Sequence, residues 1–290
     1  MNRLLKWFVV TFTIKLLGCG GDGSGPTSSV RRLANTFLTW LSILGLSACG
    51  GGGGGDGTST PLALMSAGAF SGTVSNTSPR NYPILIVRPA GDVWIFNMTG
   101  SSVLGFGTGR ATEFGTQLST TSFRYFSRQA GVMDAVVAGT FRQNLSLGGT
   151  LGYPSLGQTF DFSSTFRAAK TTNTSAMARA WIASGDNGER VDVTINADGK
   201  LNATSTNGCQ IEGQFGAGES NIPLLSLQVT TNGACRLPNQ QLTGIAYLSE
   251  DNLGAELWIG VTQSTKSDGL LIYSRLCSNA TTGGSPWSCI

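Results

Sequence analysis

Short runs of alternating apolar and polar residues recur through the body of the chain, each bounded by Gly, Pro, Asn or Asp. Val191-Asp192-Val193-Thr194-Ile195 alternates cleanly, Asn196-Ala197-Asp198-Gly199 is a hairpin turn, and Lys200-Leu201-Asn202-Ala203-Thr204 returns from it. Ile84-Leu85-Ile86-Val87, a turn at Pro89-Ala90-Gly91, and Val93-Trp94-Ile95-Phe96 make a second hairpin. A period of two places successive side chains on opposite faces of a sheet, and no segment after residue 60 keeps a helical period of 3.6. The same reading predicts strands near 70–76, 103–112, 119–127, 134–143, 145–152 and 159–167. In the second half it predicts 177–184, 208–216, 223–231, 240–249, 254–262 and 269–276. Each half therefore holds about eight strands, separated by the small, polar segment 168–175.

Eight antiparallel strands close into a barrel that side chains can fill or that can hold one small ligand. The expected fold class is all-β, with two consecutive antiparallel eight-stranded small barrels or barrel-like sandwiches; one large sandwich or a solenoid is the alternative. Glycines inside strands, as in Gly105-Phe106-Gly107-Thr108-Gly109 and Gly208-Cys209-Gln210-Ile211-Glu212-Gly213, are expected at barrel corners. A membrane barrel fits poorly, because its strands need ~9–11 residues with an apolar lipid face.

The first 48 residues read differently. Arg3 and Lys6 precede one apolar stretch, and Arg31-Arg32 precede a second that runs Phe37-Leu38-Thr39-Trp40-Leu41-Ser42-Ile43-Leu44-Gly45-Leu46. A basic start followed by a short apolar run is the pattern of a secretory signal, and each run is shorter than the ~20 residues of a spanning helix. The second stretch ends Leu46-Ser47-Ala48-Cys49. This resembles the lipobox of bacterial lipoproteins. The resemblance implies cleavage before Cys49, diacylglycerol on its thiol and an acyl chain on its new N-terminus. Leu16-Leu17-Gly18-Cys19 is the competing match, but Lys15 places a charge in its apolar run, and cleavage there would leave an apolar segment on the mature chain. Translation starting near Val30 would account for the duplicated leader.

Gly50 to Gly55 follow Cys49. A Gly-rich segment is expected to act as a tether; no Lys-Ser/Thr follows it, which argues against a phosphate-binding loop. Gly rather than Asp after the lipidated Cys implies, by the same resemblance to Gram-negative lipoproteins, sorting to the outer membrane, with the body on its periplasmic or outer face. Two or more acyl chains make such anchoring stable. The expected organisation is then a leader (1–48), lipidated Cys and tether (49–62), first β-domain (63–168), second β-domain (176–277) and a C-terminal tail (278–290).

Cys209, Cys235, Cys277 and Cys289 remain, an even number in an exported protein. The expected bridges are Cys209–Cys235 and Cys277–Cys289. The arrangement Asp198-Gly199, Gly208-Cys209, Cys235 and Gly244-Ile245-Ala246-Tyr247 also resembles proteobacterial lipoproteins with tandem small β-domains. That resemblance implies a fold and carries no activity.

Composition narrows the chemistry. The 290 residues contain no His, which excludes Ser-His-Asp and Cys-His nucleophiles and His-ligated zinc. Five of the 19 basic residues and one of the 16 acids precede residue 49, so residues 49–290 carry 14 and 15, a net of −1. No basic cluster remains there to engage nucleic acid. No metal or cofactor is expected beyond the lipid on Cys49.

Asp134, Asp161, Asp192 and Glu212 are the carboxylates of a possible hydrolase, which would need two of them to converge. Alternation sends Asp192 to solvent instead. Trp94, Phe96, Phe106, Phe123, Tyr125, Phe126, Phe141, Trp181 and Trp258 are expected in the core, with Arg124 on the face opposite Phe123 and Tyr125. The Asn-x-Ser/Thr triplets at Asn97, Asn144 and Asn202 read as ordinary polar strand and turn residues. The leading expectation is a lipid-anchored, non-catalytic interaction or envelope-structure module with an envelope protein partner. A calycin-like carrier of a small apolar ligand is the alternative, and a carboxylate-based hydrolase is the third class.

Overall fold

A computed structural model describes residues 64–99, 102–168, 174–185, 188–218, 224–251 and 254–277. The first eight strands are β1 (Gly68–Val74), β2 (Asn81–Val87), β3 (Asp92–Thr99), β4 (Ser102–Phe114), β5 (Gln117–Ser127), β6 (Gly131–Arg142), β7 (Ser146–Tyr153) and β8 (Gln158–Arg167). Neighbours in sequence pair antiparallel, and β1 closes on β8 with Phe70 opposite Phe166. The second eight are β9 (Ala180–Gly185), β10 (Arg190–Ile195), β11 (Lys200–Ser205), β12 (Cys209–Gly218), β13 (Leu224–Gly233), β14 (Gln241–Asp251), β15 (Gly254–Thr262) and β16 (Gly269–Cys277). They form a second closed antiparallel barrel, sealed where β16 meets β9. The chain is thus all-β, as the alternation implies.

Each lumen is packed by the inward half of the alternation. In β10, Val191, Val193 and Ile195 are buried while Arg190, Asp192 and Thr194 are exposed. The first lumen is filled by Phe70, Leu85, Ile95, Phe123, Val137 and Leu147 among others. Gly107 and Gly109 on β4 accommodate the Phe123 ring: a Cβ at either position would lie 2.5 or 2.8 Å from it. These glycines serve packing, in addition to the bulge where Gly105 lies opposite Asn97 and β4 shifts register.

The segment before β9 differs from the expected continuous strand starting at 177. Thr174–Met177 forms one helical turn, α1, and strand pairing begins only at Ala180. Met177 is fully buried in the second barrel's core, and its carbonyl accepts a hydrogen bond from Trp181 Nε1 at 3.0 Å. Burial of one apolar side chain and pairing of the indole N–H favour the turn over strand extension.

A third apolar cluster joins the barrels through their outer faces. Trp94 and Phe96 of β3 and Phe106 of β4 meet Tyr247 of β14, Trp258 of β15 and Tyr273 of β16. Phe96 and Trp258 ring centroids are 5.4 Å apart, and those of Trp258 and Tyr273 are 4.2 Å apart. Glycine lets the surfaces close: a Cβ on Gly260 would lie 2.8 Å from the Phe96 ring. The expected core aromatics are all buried, but they divide by face. Phe123, Tyr125 and Phe141 fill the first lumen, Trp181 fills the second, and Trp94, Phe96, Phe106, Phe126 and Trp258 lie between barrels.

The disulfide Cys209–Cys235 is present and ties the start of β12 to the segment after β13. That segment is held further by Arg236, which donates to both carboxylate oxygens of Asp268 at 2.6 and 2.7 Å. The second expected bridge depends on Cys289, which lies outside the described residues, as do Cys19, Cys49 and the tether. No helix among the described residues is long and apolar enough to cross a membrane.

Candidate binding site at the mouth of the first barrel

Along β3 the alternation carries Val93, Ile95 and Asn97 into the first lumen, and Asn97 is the last of the three before the strand ends. Two strands away, β5 carries Phe123 and then Tyr125 inward; β7 does the same with Leu151 and Tyr153. Ile95, Phe123 and Leu151 thus form an apolar layer, and Asn97, Tyr125 and Tyr153 form a polar layer directly above it. Phe160 of β8 and Met133 of β6 complete that layer, packed against the same core.

Above this floor the lumen opens into a cavity of about 680 Å³. Its rim is the β5–β6 turn, with Arg128 and Gln129, and the single 3-10 turn Pro154–Leu156. Tyr125 and Tyr153 meet edge to face with centroids 5.3 Å apart, and Tyr153 and Phe160 do so at 6.1 Å.

The floor's electrostatics are set by burial. Desolvation pushes the Tyr125 phenol up to about 12, against the pull of hydrogen bonds with Asn97 and Tyr153. Desolvation, and then the neighbouring Tyr125, also raise Tyr153. Both phenols are therefore neutral at physiological pH. Asn97 is 4% exposed, yet its Oδ1 has no hydrogen-bond partner among the described residues. A buried carbonyl oxygen left unpaired costs about 1–3 kcal/mol, so such groups are rare.

Two other clefts lie between the barrels. The larger, about 470 Å³, includes Arg88 and Asp92, which pair with each other. The smaller, about 200 Å³, includes Arg236 and Asp268, likewise paired. In each cleft one arginine and one aspartate of the lining are thus paired with each other.

The carboxylates expected of a hydrolase are dispersed. Asp134 pairs with Arg124 at 2.8 Å, and Asp192 pairs with Arg190 at 2.8 Å, both in exposed pairs. Asp161 and Glu212 are exposed on β8 and β12. None of the four lines the mouth. Sequence reading missed Asn97 and Tyr153 as site residues. The available signal was parity: Asn97 continues the inward series of Val93 and Ile95, a position at which a polar residue needs a partner.

No family model, curated protein or solved structure matches the chain.

Proposed function

We propose that the protein is a lipid-anchored, non-catalytic module of the cell envelope that binds a small molecule at the mouth of its first barrel. One observation carries the binding reading: a cavity of about 680 Å³ at the end of the first lumen, lined by Asn97, Tyr125 and Tyr153. That volume falls within the range of small-molecule sites, roughly 300–1,000 Å³, where a few placed polar groups set orientation. The anchoring part rests on Leu46-Ser47-Ala48-Cys49 and the apolar run before it.

The test is saturation-transfer NMR of the full-length protein in phosphocholine micelles, against a library of apolar, charged and polyhydroxylated fragments. Fragments should bind the wild type and be lost in Met133→Trp, which fills the mouth. A library in which no fragment distinguishes the two proteins would refute the reading. Anchoring is tested separately by metabolic labelling with a fatty-acid analogue, which Cys49→Ser should abolish.

A second reading, docking of an envelope protein, is favoured by the opposite end of the same barrel. Three loops there leave Phe114 90%, Leu145 57% and Met65 53% exposed. Backbone N–H groups of Met65 and Ser66 donate to the Glu113 carboxylate at 2.9 and 2.8 Å, which fixes Met65 beside the tip that carries Phe114. A photo-crosslinker at Phe114 should capture a partner in intact cells if this surface docks one.

A further inference from the structure

We infer that the end of the first barrel opposite the mouth rests on the bilayer itself, with Phe114, Leu145 and Met65 seated in the lipid headgroup layer and the mouth turned to the aqueous side. This inference rests on the anchoring reading above and names what the anchored body touches.

Phe114, Leu145 and Met65 are the three most exposed large apolar side chains among the described residues, and all belong to this end. They sit in different loops, yet hydrogen bonds fix each loop to its neighbour. The backbone of Met65 and Ser66 is held to the Glu113 carboxylate beside Phe114. The Phe141 N–H donates to the Thr116 carbonyl at 2.9 Å, which joins the β4–β5 turn to the end of β6. The Phe166 N–H donates to the Leu145 carbonyl at 2.8 Å, which joins the β6–β7 turn to β8. Exposed apolar residues scattered singly are ordinary on a protein surface, whereas three on adjoining, tethered loops mark a contact surface.

Two observations choose lipid as the occupant. The first is where the chain enters. The described residues begin at Leu64, next to Met65, and Cys49 lies 15 residues upstream. A Gly-rich segment of that length spans roughly 20 Å on average. The 11 residues of β5, at the tilt of a closed barrel, rise about 25–30 Å along its axis. A lipid on Cys49 therefore brings the membrane to the Met65 end, and the mouth lies a barrel height further away. The second is charge. Arg88, Arg110, Arg142 and Arg167 lie at the strand ends here, against Asp92 and Glu113. Asp92 sits between Arg88 and Arg110, at 3.5 and 3.1 Å, and Glu113 is occupied by backbone N–H groups. Arg142, three residues before Leu145, is exposed. Apolar tips on a basic surface suit anionic headgroups above an acyl layer.

The experiment takes the protein as matured in cells and reconstitutes it in vesicles of phosphatidylethanolamine and phosphatidylglycerol. A diazirine-bearing amino acid is placed, in separate proteins, at Phe114 or Leu145, and at Tyr82 or Leu156 as references, which are exposed at the mouth end. Lipid adducts, read by mass spectrometry after illumination, should form at Phe114 and Leu145 about tenfold more than at the references. Phe114→Asp, at a side chain outside the core, should lower the adduct yield at Leu145 several-fold with an unchanged circular dichroism spectrum. In intact cells the probe at Phe114 should again label lipid. Equal lipid yields at the two ends, or a protein adduct in place of lipid at Phe114 in cells, overturns the inference while leaving the anchor. Wild-type protein that takes up no fatty-acid analogue and does not float with the vesicles overturns the anchoring reading instead.

Discussion

Replacing Trp258 tests whether the two barrels are one cooperative structure. The Trp258 ring is fully buried and packs on Phe96 of the first barrel and Tyr273 of its own. A tryptophan buries about 150–250 Å². At about 25 cal/mol per Å² this amounts to roughly 4–6 kcal/mol of transfer free energy. Its Nε1–H, however, has no partner among the described residues, which offsets about 1–3 kcal/mol. Trp258→Ala should therefore destabilise by about 3 kcal/mol, the low end of the usual range for such truncations. Trp258→Phe keeps a ring and removes the unpaired donor, so it should cost no more than about 1 kcal/mol. Urea unfolding followed by circular dichroism measures both. Combined with Phe96→Ala, Trp258→Ala should show a coupling of about 0.5–1.5 kcal/mol, as packed aromatic pairs do. A Phe variant as unstable as the Ala variant would refute the orphan-donor reasoning. Strict additivity with Phe96→Ala would refute the energetic coupling of the barrels.

Other expectations follow from the same structure. Replacing Cys209 and Cys235 together by Ala opens a link across 26 residues; by loop-closure entropy this should cost about 3.5 kcal/mol. The melting temperature, read by calorimetry, should fall by roughly 7–14 °C. Gly260→Val forces a side chain against the Phe96 ring and should destabilise by about 1–3 kcal/mol, with urea midpoints as the measure. Alkaline pH should weaken the fold through its buried phenols. Burial pushes both Tyr125 and Tyr247 up to about 12. The unfolded chain releases these protons near pH 10 while the folded chain retains them. Stability is thus intact below pH 10 and declines between pH 10 and 12, by about 3 kcal/mol per side chain. Tyr247→Phe should flatten that decline, and a urea midpoint equally sensitive to pH in the variant would contradict the assignment.

The strands were legible in the sequence because a half-buried strand writes its geometry locally. Val191, Asp192 and Val193 show the burial of β10 residue by residue, and Asp198-Gly199 marks a turn, with Gly199 at φ +83°. Sixteen such segments in two groups of eight imply two closed sheets, since closure removes the edges that open sheets leave unpaired. Ile84-Leu85-Ile86-Val87 lacks that clarity, because a continuous apolar run states that both faces are covered without stating by what. Its outer face meets the cluster between the barrels, which includes Ile84 and Ile86, while Leu85 and Val87 enter the lumen.

Local pattern by itself determined the fold class and the inward or outward parity of strand residues, because both depend only on the two-residue period of an extended chain. Tertiary structure decided which outer faces pack together, that Met177 enters the second core from a helical turn, and that Asn97, Tyr125 and Tyr153 share one floor. Those three residues come from strands separated by up to 56 positions, and nothing local sets their common height. Their height in the lumen follows from strand register around a closed barrel, a property of the whole sheet.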